Sequence, residues 1–247
     1  MATALITGGT KRIGYHIAAY FAEKGYDLIL HDHKKSAARE NCLAQLEPKG
    51  VKIHFISADL TNQKVAQTFV EDITNHFAVP DVFIHTASLF ENDNADNFMA
   101  ENWHKNMMIH CYIPSDIIRH LVKHKIFKSA TFLIDQRIKH PNPDFFTYTA
   151  SKMLCGDLVK LLSLAHAPHV RINGISPGPT LRNSRQHETD FQMQANATPL
   201  GRAVDPKEIA MAAHFLAESS ATTGEIITID SGQSLDWRTE SYLKVRE

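Results

Sequence analysis

Short runs of apolar, mostly β-prone residues alternate along the chain with longer stretches in which apolar positions recur three and four apart. The first run, 3–7, ends on Gly8-Gly9, the pattern of a buried strand followed by a turn. Ile13, Ile17, Ala18 and Phe21 then recur at helical spacing, and Gly25 supplies a stop. Read onward in the same way, the chain predicts strands at 28–30, 51–57, 82–85, 130–134, 170–175 and 226–229. It predicts helices at 36–46, 63–77, 145–165 and 206–218, and two helical segments between 98 and 127 with Pro114 near their junction. Repeated strand–helix alternation means parallel βαβ units, so the fold class is α/β, with a doubly wound, mainly parallel sheet of seven strands covered by helices on both faces. A single domain spanning 1–247 is expected. The one long stretch without clear periodicity, 178–199, is expected to be a functional loop over the substrate.

Charge and composition narrow the function. The 247 residues carry 26 Lys+Arg against 27 Asp+Glu, a net charge of -1. A general nucleic-acid binder needs a basic excess to displace counterions, so that class is set aside. No stretch approaches the roughly 18 apolar residues that cross a bilayer, so no membrane association is expected. Cys42, Cys111 and Cys155 are scattered and form no C-x-x-C pair, which argues against a disulfide framework or zinc ribbon and for reduced thiols in a cytoplasmic protein. The first strand starts near Ala2, leaving no room for a secretory leader. Fifteen histidines invite a metal reading. His120/His124 and His166/His169 have helical ligand spacing, but no acid or thiol is placed beside either pair in sequence. No metal is expected, and most histidines are assigned to the surface or to helix ends.

Candidate chemistry begins at Thr7-Gly8-Gly9-Thr10-Lys11-Arg12-Ile13-Gly14, between the first strand and the first helix. Glycines there let the backbone approach a pyrophosphate, and the helix N-terminus offers N–H groups and a positive dipole end. The spacing is not G-x-G-x-x-G, so a tight turn without a ligand stays open. Gly8, Thr10, Lys11, Arg12, Ile13 and Gly14 are the cofactor-binding candidates of this turn. Asp32 ends the second strand 18 residues after Gly14, where an acid would bond the ribose 2′-OH of NAD(H). Lys11, Arg12, His33, Lys34 and Lys35 surround the same place, and several cations there suit a 2′-phosphate. NADP(H) is favoured, and Asp32 leaves NAD(H) open.

Tyr148 and Lys152 stand four apart in the long helix predicted at 145–165, so phenol and ammonium share a face. A nearby cation is expected to lower the Tyr148 pKa and make the phenol a usable acid or base.

With these motifs the chain resembles the short-chain dehydrogenase/reductase family over essentially its whole length. Further matches are Ala58-Asp59-Leu60, His85-Thr86-Ala87-Ser88 in place of the family's N-N-A-G, Ser176-Pro177-Gly178, and Thr223-Gly224-Glu225. The resemblance implies a Rossmann-type fold in which Asp59 contacts adenine, Lys152 holds the nicotinamide ribose and Pro177-Gly178 borders the nicotinamide. It adds Leu60, Thr86, Ala87, Ser88, Tyr148 and Thr180 to the cofactor candidates. It also implies a homotetramer built on the two long helices flanking the fifth strand.

Departures from the family pattern are informative. The catalytic Ser expected 13 residues before Tyr148 is Asp135, and the usual Asn of the preceding helix falls at His110. An ionised carboxylate only accepts hydrogen bonds, so it repels a forming oxyanion and suits a substrate that presents N–H groups. In this the chain looks like the pteridine reductase and dihydromonapterin reductase branch, which places an Asp there. That branch also shares the Lys-Arg-x-Gly ending of the glycine turn and an Ala-Ser-x-Phe segment, here Ala87-Ser88-Leu89-Phe90. The resemblance implies that Phe90 stacks on a pterin ring. Tyr148, Lys152, Asp135 and His110 are the catalytic candidates, with His110 standing in for the Asn that steadies Lys152. Ser88, Phe90, Asp135, Tyr148 and Arg182 are the substrate-binding candidates, and Arg185 shares the loop with Arg182. His33, His85 and His110 are the histidines with a functional address. The expected activity is NADPH-dependent reduction of a C=N bond in a small, dihydropterin-like molecule. A short-chain reductase of a ketone or 3-oxoacyl substrate is the alternative, and a non-catalytic dinucleotide-binding sensor is the alternative of another class.

Overall fold

Five consecutive buried residues form β1 (Thr3–Thr7), as a strand with helices on both faces requires. Residues 1–183 and 185–236 are described by a computed structural model. The one-domain expectation extends to residues 237–247, which lie outside the described residues.

After β1 come α1 (Arg12–Glu23), β2 (Asp27–Asp32), α2 (Ala37–Leu46), β3 (Ile53–Ser57), α3 (Gln63–His76) and β4 (Val82–His85). Then follow α4 (Ala100–Met107), a π turn (Met108–Tyr112), α5 (Ile113–Leu121), β5 (Ser129–Leu133), α6 (Phe146–His166) and β6 (Arg171–Pro177). The described chain closes with α7 (Glu188–Asn196), α8 (Pro206–Glu218) and β7 (Ile226–Ile229). The seven strands lie in the order β3-β2-β1-β4-β5-β6-β7. Every pair is parallel. The order reverses between β1 and β4, the crevice where ligands settle in such sheets.

Strand alternation sends side chains to two cores. Leu5 and Ile29 pack with Phe69 and Ile73 of α3, Ile117 and Ile118 of α5 and Val159 of α6. Ala4, Ile6, Leu28 and Leu30 face the other side, against Ile17 and Phe21 of α1 and Ile209 and Ala213 of α8. The sharpest boundary is that of α8. Asp205 and Glu208 form a reciprocal capping box there, with Pro206 in the first turn.

One sequence expectation is corrected. The 178–199 stretch is not all loop, since α7 occupies its second half. The apolar stripe of α7 is reduced to Phe191 and Ala195, and exposed Gln192, Met193 and Gln194 interrupt the periodicity.

Among the described residues, no helix is long and apolar enough to cross a membrane, and no group of three His, Cys, Asp or Glu side chains could hold a metal ion.

Candidate active site

The C-terminal ends of the strands open into a cleft of about 1870 Å³, larger than the roughly 300–1,000 Å³ of a site for one small ligand. Gly8, Thr10, Lys11, Arg12, Ile13 and Gly14 line one end with Asp32, His33, Lys34, Asp59 and Leu60. Thr86, Ala87, Ser88, Phe90, Asp135, Tyr148, Lys152, Pro177, Gly178 and Thr180 line the rest. Of the sequence candidates, Lys35, His85, His110 and Arg182 do not line it.

The glycine turn is built for backbone approach. A Cβ on Gly14 would stand 2.3 Å from the Gly8 carbonyl oxygen, so only glycine fits. α1 begins at Arg12 with no side-chain cap and no acid in its first turn, which leaves its positive end to an anion. Gly178 is equally constrained, because a Cβ there would meet the Asp230 backbone at 2.7 Å. These two close approaches fit a dinucleotide laid along the strand ends. Arg12 itself, at φ +54°, donates to the carbonyls of Leu181 and Arg182 at 3.0 and 2.8 Å, tying the turn to the loop after β6.

Two histidines hold the turn from beneath. His31 Nδ1 accepts from Gly8 N–H at 3.1 Å, and its Nε2 donates to Ala58 O at 2.9 Å. That pattern requires the neutral ring, and burial lowers the His31 pKa to about 4. His31, which the sequence does not single out, is a buried strut, covered edge-on by Phe69. His85 does the same for β4. Its Nδ1 accepts from Thr7 Oγ1 at 2.9 Å, its Nε2 donates to Ile109 O at 2.8 Å, and burial takes its pKa to about 3. With both nitrogens committed, His85 positions backbone and has no place at the reacting atoms.

The acceptor of His85 is free for a local reason. In the π turn the Ile113 N–H reaches back five residues to Met108 O. The next carbonyl, Ile109, would need an N–H from Pro114, which has none. The turn leaves His110 fully buried. Ser151 Oγ donates to Tyr148 O at 2.7 Å, so it accepts from His110 Nδ1 at 2.8 Å. The opposite nitrogen then accepts from Ser88 Oγ, also at 2.8 Å. Burial, then Lys152 and His85, hold the His110 pKa well below its ordinary value. The hydrogen bonds of His110 run to Ser88 and Ser151 and not to Lys152, so it positions the wall of the cleft.

Tyr148 and Lys152 do share a face of α6, but their coupling differs from expectation. Tyr148 Oη donates to Asp135 Oδ2 at 2.7 Å, and Asp135 Oδ1 accepts from Arg137 N–H at 2.9 Å. Lys152 donates to Leu133 O at 2.8 Å, with its ammonium 5.7 Å from the centre of the Tyr148 ring. Burial, then Asp135, push the Tyr148 pKa well above its ordinary value. The expected downward shift is therefore reversed, because desolvation and the carboxylate outweigh the cation that lowers it, which is the Arg137 guanidinium and not Lys152. Burial also lowers the pKa of Lys152.

α6 starts where it does because Asp93, 54 residues earlier, accepts from both the N–H and the hydroxyl of Thr147. Phe145, just before the helix, adopts a left-handed φ of +57°. It stacks on Phe90 with ring centres 4.0 Å apart, and Tyr148 meets Phe90 edge-on at 4.7 Å. Phe145 lines the cleft and was not singled out from sequence. Arg182 turns away to Glu188 and Gln186 O. Arg185 lines the cleft instead, bound to Glu91 and to Phe90 O.

Asp32 is the other surprise. Its carboxylate is gripped by Arg39 Nε and Nη2 at 2.7 and 2.6 Å and accepts from Ser57 Oγ at 2.7 Å. His33 is exposed, 3.8 Å from Asp59. Asp59 itself receives the N–H and hydroxyl of Thr61.

Comparison with known proteins places this geometry. Residues 8–234 match the family model described as Enoyl-(Acyl carrier protein) reductase. Glucose 1-dehydrogenase 2 of Bacillus subtilis is 24% identical, with 94% of this chain and 95% of that protein covered. 3-oxoacyl-[acyl-carrier-protein] reductase FabG of Chlamydia muridarum is 26% identical, with 94% and 96% covered. Among solved structures, FolM alternative dihydrofolate reductase 1 of Brucella suis in complex with NADP superposes with a TM-score of 0.91 at 29% identity, covering 97% of this chain and 98% of that one. Its Brucella canis counterpart, complexed with NADP, gives 0.89 at 28%, covering 97% of each.

Proposed function

From the premise that the chain belongs to the short-chain dehydrogenase/reductase family of NAD(P)H-dependent oxidoreductases, we propose that it is an NADPH-dependent reductase of a C=N bond in a pterin-like substrate. The observation that carries the substrate class is the Asp135–Tyr148 pair. A carboxylate 2.7 Å from the phenol stands where a ketone reductase needs a hydrogen-bond donor. The FolM proteins, named as alternative dihydrofolate reductases and solved with NADP, lend support from the side of structure.

In this reading the glycine turn and the α1 N-terminus hold the pyrophosphate, Asp59 and Leu60 flank the adenine, and His33 and Lys34 face the 2′-phosphate. Thr86, Ala87, Pro177, Gly178 and Thr180 border the nicotinamide end, and Lys152 reaches the ribose. When bound, the reduced nicotinamide supplies the hydride. Tyr148, whose phenol is disinclined to ionise, keeps its proton at Oη for the substrate nitrogen. Asp135 accepts an N–H of the heterocycle and orients it. Ser88 and the Phe90–Phe145 wall bound the substrate, with the 178–199 segment over it. The C=N bond thus gains hydride on carbon and a proton on nitrogen.

Exposed Met153, Leu154, Leu161 and Leu164 on α6 support a homotetramer joined through that helix. The three buried free thiols suit a cytoplasmic setting. The decisive experiment follows NADPH oxidation with dihydrobiopterin, dihydromonapterin and dihydrofolate against a panel of simple ketones. Turnover of a dihydropterin with silent ketones is expected, and activity on ketones alone overturns the substrate class.

A further inference from the structure

Asp32 opposes NADP(H) at the cofactor end of the cleft. An unpaired carboxylate at the end of β2 accepts from a ribose diol and repels a phosphate in the same place. Here the carboxylate is 5% exposed and almost wholly spoken for. Arg39, in the first turn of α2, meets both of its oxygens, and Ser57 fills a further lone pair. The guanidinium is itself fixed. Its Nη2 also reaches Ser57 Oγ, and its carbon lies 5.0 Å from the Phe55 ring centre. Burial raises the Asp32 pKa, but the Arg39 and Ser57 hydrogen bonds outweigh it, and the net shift is downward. Asp32 is therefore charged, paired and unavailable, and the pair contributes no net charge. Lys11, Arg12 and Lys34 then outnumber Asp59, the other acid lining that end of the cleft, and set its sign.

We propose that Arg39 determines cofactor specificity by cancelling Asp32, so that an end of the cleft carrying an acid still selects NADP(H). Arg39 acts through Asp32 and does not itself grip the phosphate. This rests on the cofactor reading above. It also names a single interaction, seven residues apart in sequence, that converts an NAD-type strand end into an NADP-type one.

The test measures dissociation constants of NADPH and NADH, by fluorescence titration of the full-length chain. The set is the wild type, Arg39→Ala, Asp32→Asn and the double variant, each checked for folding by circular dichroism. Arg39→Ala is expected to weaken NADPH by about 10- to 100-fold while NADH holds or tightens, because Asp32 is exposed as a free acid. Adding Asp32→Asn is expected to recover most of the loss, which a merely structural role for Arg39 would not allow. Two results overturn the proposal: an unchanged NADPH/NADH ratio in Arg39→Ala, or a double variant as weak for NADPH as the single one. If Arg39→Ala does not fold, Arg39→Gln, which removes the charge and keeps a polar side chain, gives the same readings. A wild-type chain that prefers NADH overturns the cofactor reading together with this proposal. A wild type that prefers NADPH with an unmoved ratio in the variant overturns this one alone.

Discussion

Asp32 closes β2 and Asp135 lies two residues past β5, at opposite ends of one cleft. Asp32 meets a guanidinium and a hydroxyl and is neutralised. Asp135 meets a backbone N–H and the Tyr148 phenol. The nearby guanidinium of Arg137 turns instead to Asp144 O and to the rings of Phe90 and Phe145. A carboxylate at the end of a parallel strand is thus not one kind of site. A paired one becomes part of the frame. One left facing a phenol keeps acceptor capacity for whatever enters the cleft.

Three experiments press on that contrast beyond the Arg39 series. The largest effect is expected from Tyr148→Phe, which removes the proton donor facing Asp135. Turnover of a dihydropterin should fall by about 10²–10⁴-fold with little change in NADPH affinity, read by steady-state kinetics beside a binding titration. A fully active variant would mean that Asp135 works without the phenol. Next, Asp135→Ser replaces an acceptor by a donor. It should cost the pterin reaction about 10²-fold in kcat/KM while raising activity on ketones, and a loss on both would deny that the carboxylate sets substrate class.

The smallest effect is one of acid stability, and it belongs to the cofactor end. His31 and His85 are neutral in the fold, with pKa values of about 4 and about 3. The unfolded chain protonates them near the ordinary histidine value of about 6.5. Below that pH the unfolded state binds protons that the fold refuses. Each ring then costs about 1.4 kcal/mol of stability per pH unit, down to its folded pKa. Denaturant titrations between pH 7 and pH 5 should show this slope, and His31→Gln should make it shallower. An unaltered slope would place the proton uptake elsewhere.

The cofactor end was more legible in the sequence than the substrate end. The glycine turn and the α8 capping box are local, because spacing and residue type suffice to read them. The Tyr148/Lys152 pair was legible in place, but the sign of the Tyr148 shift was not. That sign depends on burial and on a carboxylate from another element, which helical spacing cannot weigh. Arg39 resembled any solvated residue of a polar helix until the turn after β2 brought it onto Asp32. His31 was lost for the opposite reason, since a His-Asp-His string looks like surface although its first member is 3% exposed. Phe145 and Asp93 act through a left-handed backbone and a contact across 54 residues, neither of which leaves a periodic trace.

The π turn between α4 and α5 can also be read as a phase shift. Each residue advances an α-helix by about 100°, so one additional residue in the turn rotates everything after it by that angle. The stripe after it seats Ile117, Ile118 and Leu121 in the core. Deleting one residue from 108–112 would let a regular helix run through. Pro114 guards this offset by what it lacks. Any other residue there would bring an N–H for the Ile109 carbonyl and set the helix ladder in competition with His85.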